Sequence, residues 1–120
     1  MTESRVLVVE DDSTLRSVIA QALIEDGYVV EVAANGEAAL DLVRRAAPDL
    51  VILDLMLPYM GGEEFSAAMR DIEGLESTPV IIISASRYTE EVGARVGAKL
   101  SLRKPFDLYE LTEHVNLLLR

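Results

Sequence analysis

Two runs in this chain, Leu50-Val51-Ile52-Leu53 and Val80-Ile81-Ile82-Ile83, contain no polar residue. A strand with one face in water alternates apolar and polar side chains, so an unbroken run marks a strand buried on both faces, as in a parallel sheet covered by helices. Residues 5–9, 28–33, 49–54, 79–84 and 100–103 read as five strands of this kind, separated by helical patterns. Leu15, Val18, Ile19, Ala22 and Leu23 form one apolar stripe at helical spacing, and Phe65, Ala68, Met69 and Ile72 form another. In the last helix Leu108, Leu111, Val115 and Leu118 follow Asp107, with Glu110 three residues on as in a capping box. Asn35-Gly36 and Gly27 punctuate the second unit. Five β/α units are too few for an eight-stranded barrel. The expected fold is an open, doubly wound five-stranded parallel sheet, flavodoxin-like (βα)5, in strand order 2-1-3-4-5.

A chain of 120 residues gives one domain, spanning 1–120, with no linker, repeat or low-complexity tract. It contains no cysteine, which removes disulfides, thiolate metal sites and thiol catalysis. His114, the single histidine, falls in the last helical pattern and reads as a helix-face residue. No apolar run of about 18 residues and no basic-then-apolar leader occurs, so the expectation is a cytoplasmic protein without a membrane partner. The net charge of −10, from 21 acids and 11 bases, opposes sequence-independent binding to a phosphate backbone, and no direct nucleic-acid partner is expected.

The chemistry gathers where the strands end. Val6-Leu7-Val8-Val9 runs straight into Glu10, Asp11 and Asp12, the third strand closes on Asp54, the fourth on Ser84, and Lys104 follows the fifth. In open α/β sheets ligands bind beyond the carboxyl ends of the strands, where the strand order reverses. With order 2-1-3-4-5 the first and third strands are neighbours, and the carboxylates of Glu10, Asp11 and Asp54 converge. Two carboxylates ~4 Å apart repel by about 4 kcal/mol at an effective dielectric near 20, so a positive group must offset them. A hard divalent cation held through oxygens, with Mg2+ as the natural choice, is one candidate. Lys104 is the other, in a chain whose only lysines are Lys99 and Lys104. A carboxylate, a hydroxyl and an ammonium at one edge suit phosphoryl transfer to an aspartate. Neither a P-loop nor GxGxxG is present, and a nucleotide is not the expected substrate.

The stretches VLVVEDD, PDLVILDLMLPYMGG, PVIIISAS and RKPF, in that order, closely resemble the receiver domain of two-component response regulators over essentially the whole chain. The resemblance implies that Asp54 is the phosphoacceptor, that Asp11 and Asp54 ligate Mg2+ directly with Glu10 acting through water, and that the Met56 carbonyl is a further ligand. It implies that Ser84 and Lys104 contact the phosphoryl group and that the Lys104–Pro105 bond is cis. Asp12, outside the acid pair, starts the first helix with Ser13. The implied partners are a sensor histidine kinase or histidine phosphotransfer protein as donor, and a downstream output protein. The implied function is phosphorelay signalling by conformational shift, not classical enzymatic turnover beyond the domain's own phosphorylation and dephosphorylation. A single-domain regulator is expected ahead of a receiver cut from a larger regulator or hybrid kinase. An aspartyl-phosphate phosphatase is the enzyme alternative, but it wants an acid where Met56 stands.

The chain departs from this family at Ser101, where an aromatic ring is usual, and in the short, Gly93-containing interval between Ser84 and Lys104, which predicts a short, weak fourth helix. GAKLS also replaces the acidic stretch of DNA-binding regulators, which removes support for their dimer through the fourth helix, fifth strand and fifth helix. With the ring absent, Arg87, Tyr88 and Ser101 are the expected switch or output residues.

Overall fold

The unbroken apolar runs become the centre of a sheet. A computed structural model describes residues 3–120. Strands β1 (Arg5–Val9), β2 (Val29–Ala33), β3 (Leu50–Asp54), β4 (Val80–Ser84) and β5 (Leu100–Arg103) pair in parallel in the order β2-β1-β3-β4-β5. Helices α1 (Ser13–Glu25), α2 (Gly36–Arg45), α3 (Gly62–Arg70), α4 (Thr89–Val96) and α5 (Leu108–Leu119) alternate with them. This is the doubly wound order expected from the sequence. Three strands start one residue later than their apolar pattern suggests. Tyr28 N–H still closes the α1 turn by donating to Leu23 O (3.2 Å), and Pro79 has no N–H to give a ladder.

Alternate residues of each central strand enter opposite layers. Leu7, Val9, Val51, Leu53, Val80 and Ile82 pack with Phe65 and Met69 under α2 and α3. Val6, Val8, Leu50, Ile52, Ile81 and Ile83 pack with Ile19, Leu23, Leu111 and Val115 under α1 and α5. Both faces of β3 and β4 are thereby buried along their whole length, which is why neither tolerates a polar alternation.

Helix starts are fixed by side chains at the same edge of the sheet. Asp12 accepts from Thr14 N and Leu15 N (3.0 and 3.1 Å), Asn35 from Ala38 N (2.8 Å), and Asp107 from Tyr109 N (2.9 Å). The α4 helix lacks such a side-chain cap, and it ends after eight residues at Gly97 in the left-handed region, φ 74°. It is short, as Gly93 and the tight interval lead one to expect. Gly93 has a packing role as well: a Cβ there would lie 1.9 Å from Ser101 Oγ and 3.1 Å from Ser101 Cβ. The α4 backbone therefore rests on β5 at Ser101, and no room is left for a ring.

Candidate functional site at the carboxyl edge of the sheet

Strand register brings the polar strand ends together. Val9 pairs with Leu53, so the next step sets Glu10 level with Asp54. On the other side Asp54 pairs with Ile83 and Ser84 pairs with Arg103, which puts Ser84 and Lys104 within one step of the same line. Lys104 N–H donates to Ser84 O at 2.8 Å, and the Lys104–Pro105 peptide bond is cis.

Lys104 spans the two buried acids. Its Nζ lies 2.7 Å from Asp54 Oδ2 and 2.6 Å from Glu10 Oε1. The second oxygen of Asp54, Oδ1, accepts from Met56 N–H (2.9 Å), and the second oxygen of Glu10 accepts from Asp12 N–H (3.1 Å). Glu10 is 0% and Asp54 2% exposed. Glu10 Oε1 has the ammonium as its contact and no well-aligned hydrogen bond among the described residues. The Glu10 backbone is fixed too: Arg16 donates to its carbonyl at 2.8 Å, and its N–H donates to Ala33 O at 3.0 Å.

Burial is the largest influence on Glu10. It pushes the carboxyl up to about 7 against the opposing hydrogen bonds from Lys104 and Asp12 N–H, with the Asp54 charge adding to the rise. Burial works against the Lys104 charge, but hydrogen bonds to Asp54 and Glu10 outweigh it and raise the ammonium above its usual value. The pair thus holds its positive partner more firmly than its second negative charge. One carboxylate oxygen from each of Glu10, Asp11 and Asp54 falls within a sphere where all lie within 4.8 Å of one another, and Asp11 faces solvent. Three carboxylates at a mouth open to water fit a small hard cation that keeps part of its hydration shell.

The remaining residues picked out from the sequence are less closely drawn in. Ser84 is buried, and its Oγ accepts from Ser86 N–H at 3.3 Å. The Met56 side chain is 60% exposed while its N–H is committed to Asp54. Arg87 and Tyr88 are exposed, bonded to each other (Arg87 Nη2 to Tyr88 OH, 2.8 Å) and to neither acid. Ser101 lies under α4, away from this edge.

Thr89 is bound more closely to the site than its place in the loop Ser86-Arg87-Tyr88-Thr89 suggests. It is buried, and its Oγ1 donates to Ser86 O at 2.5 Å with Ser84 O at 3.5 Å, so it ties the first turn of α4 to the strand end that carries Ser84. The only sequence signal is a Ser/Thr pair three residues apart in SASRYT. Gly36 and Gly62 have packing roles beyond the turns they stand in. A Cβ on Gly62 would sit 2.4 Å from Asp54 O and one on Gly36 2.7 Å from Met60 O, so both let the loop after Asp54 close down on the site.

Comparison with known proteins points the same way. The family model described as response regulator receiver domain matches residues 6–116. The alkaline phosphatase synthesis transcriptional regulatory protein SphR of Synechococcus elongatus is 38% identical over 98% of this chain and 49% of its own length. Response regulator MprA of Mycolicibacterium vanbaalenii is 37% identical over 97% of this chain and 50% of its own. The chain spans about half the length of the curated relatives it matches. Since SphR is named as a transcriptional regulator, the acidic charge of this domain carries no conclusion about nucleic acid for a protein that contains it. Among solved structures, the chemotaxis response regulator CheY4 of Vibrio cholerae superposes with a TM-score of 0.89 at 33% identity, covering 98% of this chain and all of that one. The receiver domain of Francisella response regulator 1452 gives 0.85 at 34%, covering 97% and 96%. No helix among the described residues is long and apolar enough to cross a membrane. The sheet order, the acids at its carboxyl edge and a family match over nearly the whole chain agree: this chain belongs to the response regulator receiver domain family.

Proposed function

We infer that the chain takes a phosphoryl group from a phosphohistidine onto Asp54 and signals through the resulting change of shape. The observation that carries this reading is Lys104 Nζ spanning Glu10 and Asp54 at 2.6 and 2.7 Å, beside a solvent-facing Asp11. An Asp54 oxygen forms the new bond to phosphorus as the N–P bond of the donor breaks, and the imidazole departs with the electron pair and takes up a proton. The Met56 N–H holds Oδ1 in place throughout. Lys104 has three N–H donors and transfers part of its hold from the carboxylate to a phosphoryl oxygen, while the Ser84 hydroxyl donates to another. Glu10, Asp11, Asp54 and the Met56 carbonyl are the groups that would hold Mg2+, which supplies charge neutralisation for the incoming oxygens.

The donor in this reading is a sensor histidine kinase or a histidine phosphotransfer protein, and the output is a separate domain or protein. A single-domain regulator and the receiver of a longer protein share this site, and the intact mass of the native protein separates them. Incubation with acetyl phosphate or phosphoramidate and Mg2+ is expected to add one phosphoryl group by intact mass, and Asp54→Asn to abolish it. Undiminished labelling of Asp54→Asn would move the acceptor elsewhere.

A further inference from the structure

Helix α3 turns Glu63, Ser66, Ala67 and Arg70, spaced i, i+3, i+4 and i+7, towards the last turn of α4, where Arg95 and Val96 stand. The two helices do not close on each other there, and a hollow of about 280 Å3 is left between them. Arg70 and Val96 also line a second hollow of about 280 Å3, which continues to Ser77, Pro79 and Lys99. Lys99 N–H donates to Val80 O at 2.8 Å, so this second hollow lies at the amino edge of the sheet, where β4 and β5 begin. With two residues in common, the hollows form one elongated groove.

Two features of the groove are left unbalanced within the chain. Ser66 is fully buried, and its Oγ has no hydrogen-bond partner among the described residues. Buried hydroxyls normally find one, because water no longer serves them. The second feature is charge. Arg70 is half-buried and pinned, its Nη1 donating to Glu76 O at 2.9 Å and Thr78 O at 3.2 Å, and Lys99 is exposed; neither has an acid partner among the described residues. Glu63, the single acid lining the groove, is taken by Arg95, whose Nε and Nη2 reach its two oxygens at 2.9 and 3.2 Å. That pair is exposed, where an ion pair holds weakly and yields to a ligand. A positive groove in a chain of net charge −10 is electrostatically selective: an acidic partner is repelled by the rest of the surface and drawn here. Its length decides the class of occupant. A compact anion fills one hollow and leaves the other empty, whereas an extended chain sets carboxylates on Arg70 and Lys99 and rests an apolar side chain on Val96 and Pro79.

We propose that the groove between α3 and α4 binds an extended acidic segment of a partner protein, with Arg70 and Lys99 pairing with its carboxylates and the Ser66 hydroxyl donating to one of its carbonyls. The proposal uses none of the residues assigned to phosphoryl transfer, so its test stands apart from that reading. The probe is a hexaglutamate peptide, titrated at low salt into the 15N-labelled chain and followed through its amide shifts. Saturable shifts are expected in residues 63–70, 77–80 and 93–99, with hexalysine moving the acids of the carboxyl edge instead. Lys99→Glu should weaken hexaglutamate about fivefold or more and Lys99→Gln less, as the sign of one contact is reversed or merely removed. Ser66→Ala separates ligand contact from packing: it should melt higher than wild type, because a buried donor without a partner is gone, and still bind the peptide about twofold or more weakly. Shifts absent or scattered over the surface overturn the proposal, as does an affinity unchanged in Lys99→Glu or in Ser66→Ala. Inorganic phosphate that reproduces the same shifts at lower concentration, at matched ionic strength, also overturns it, since the groove would then be a site for a small anion.

Discussion

The contact between Gly93 and Ser101 is the most sharply defined departure from what a short apolar strand and a glycine-weakened helix suggest, and it can be tested by reversing the sign of one substitution. At an exposed helix position Gly→Ala stabilises by about 0.8–1 kcal/mol through backbone entropy. At Gly93 the new Cβ would lie 1.9 Å from Ser101 Oγ, 3.1 Å from Ser101 Cβ and 3.8 Å from Ala98 Cβ. The hydroxyl can rotate aside, but the 3.1 Å contact with Cβ stays and requires α4 to lift. Overpacking of this kind costs about 1–3 kcal/mol. The clash outweighs the propensity gain, and Gly93→Ala is expected to destabilise by about 1 kcal/mol. In a Ser101→Gly background both opposing atoms are gone, and the same substitution should stabilise by about 1 kcal/mol, a coupling of roughly 2 kcal/mol. Urea unfolding of the four proteins, with the m-value checked for constancy, measures it directly. Stabilisation by Gly93→Ala in the wild-type background would mean that α4 does not rest on Ser101, and the reasoning would fail.

Ser101→Tyr should likewise prise α4 from β5, lowering stability by about 2 kcal/mol or more and raising amide exchange across residues 89–96; an unperturbed α4 would show spare room beneath it. Glu10 sets a pH dependence for the protein in chelator: its carboxyl takes up a proton at about 7 when folded, against 4.5 for the ordinary group. Between those values the folded chain binds more protons than the unfolded one, so stability falls as pH rises from 5 to 8, by up to about 3 kcal/mol. Glu10→Gln should flatten that slope in denaturant titrations at several pH values. Mg2+ at ~100 times its dissociation constant should add about 2.7 kcal/mol, seen as a higher melting temperature that Asp11→Ala removes. Beryllofluoride with Mg2+ should change amide-exchange protection most in residues 84–97, because Thr89 Oγ1 joins α4 to the strand end at Ser84; a response confined to another face would place the output surface there.

The elements were legible because burial on both faces leaves a one-dimensional mark: β3 and β4 have no polar alternation, and α1 and α3 carry their stripes at helical spacing. The candidate site was legible for a related reason. A parallel sheet puts all its carboxyl strand ends on one edge, so Glu10, Asp54, Ser84 and Lys104, each at or one residue past the end of a strand, had to meet once the order 2-1-3-4-5 was given. Distances and charge balance were beyond that logic. That Lys104 reaches both acids, and that burial lifts Glu10 more than the lysine lowers it, depends on which side chains the folded backbone closes over. The packing role of Gly93, beyond its mark of a short α4, lay out of reach for the same cause. Propensity counts a glycine against its own helix, while the packing of α4 on Ser101 is a contact between residues on different elements, visible only after both are placed. Tyr59 is the extreme case: nothing in LPYMGG announces its positive φ of 68°, because the strain at Tyr59 is imposed by a loop pinned at Asp54 and Gly62 and packed through Met60 onto Gly36, and those anchors exist only in the folded chain.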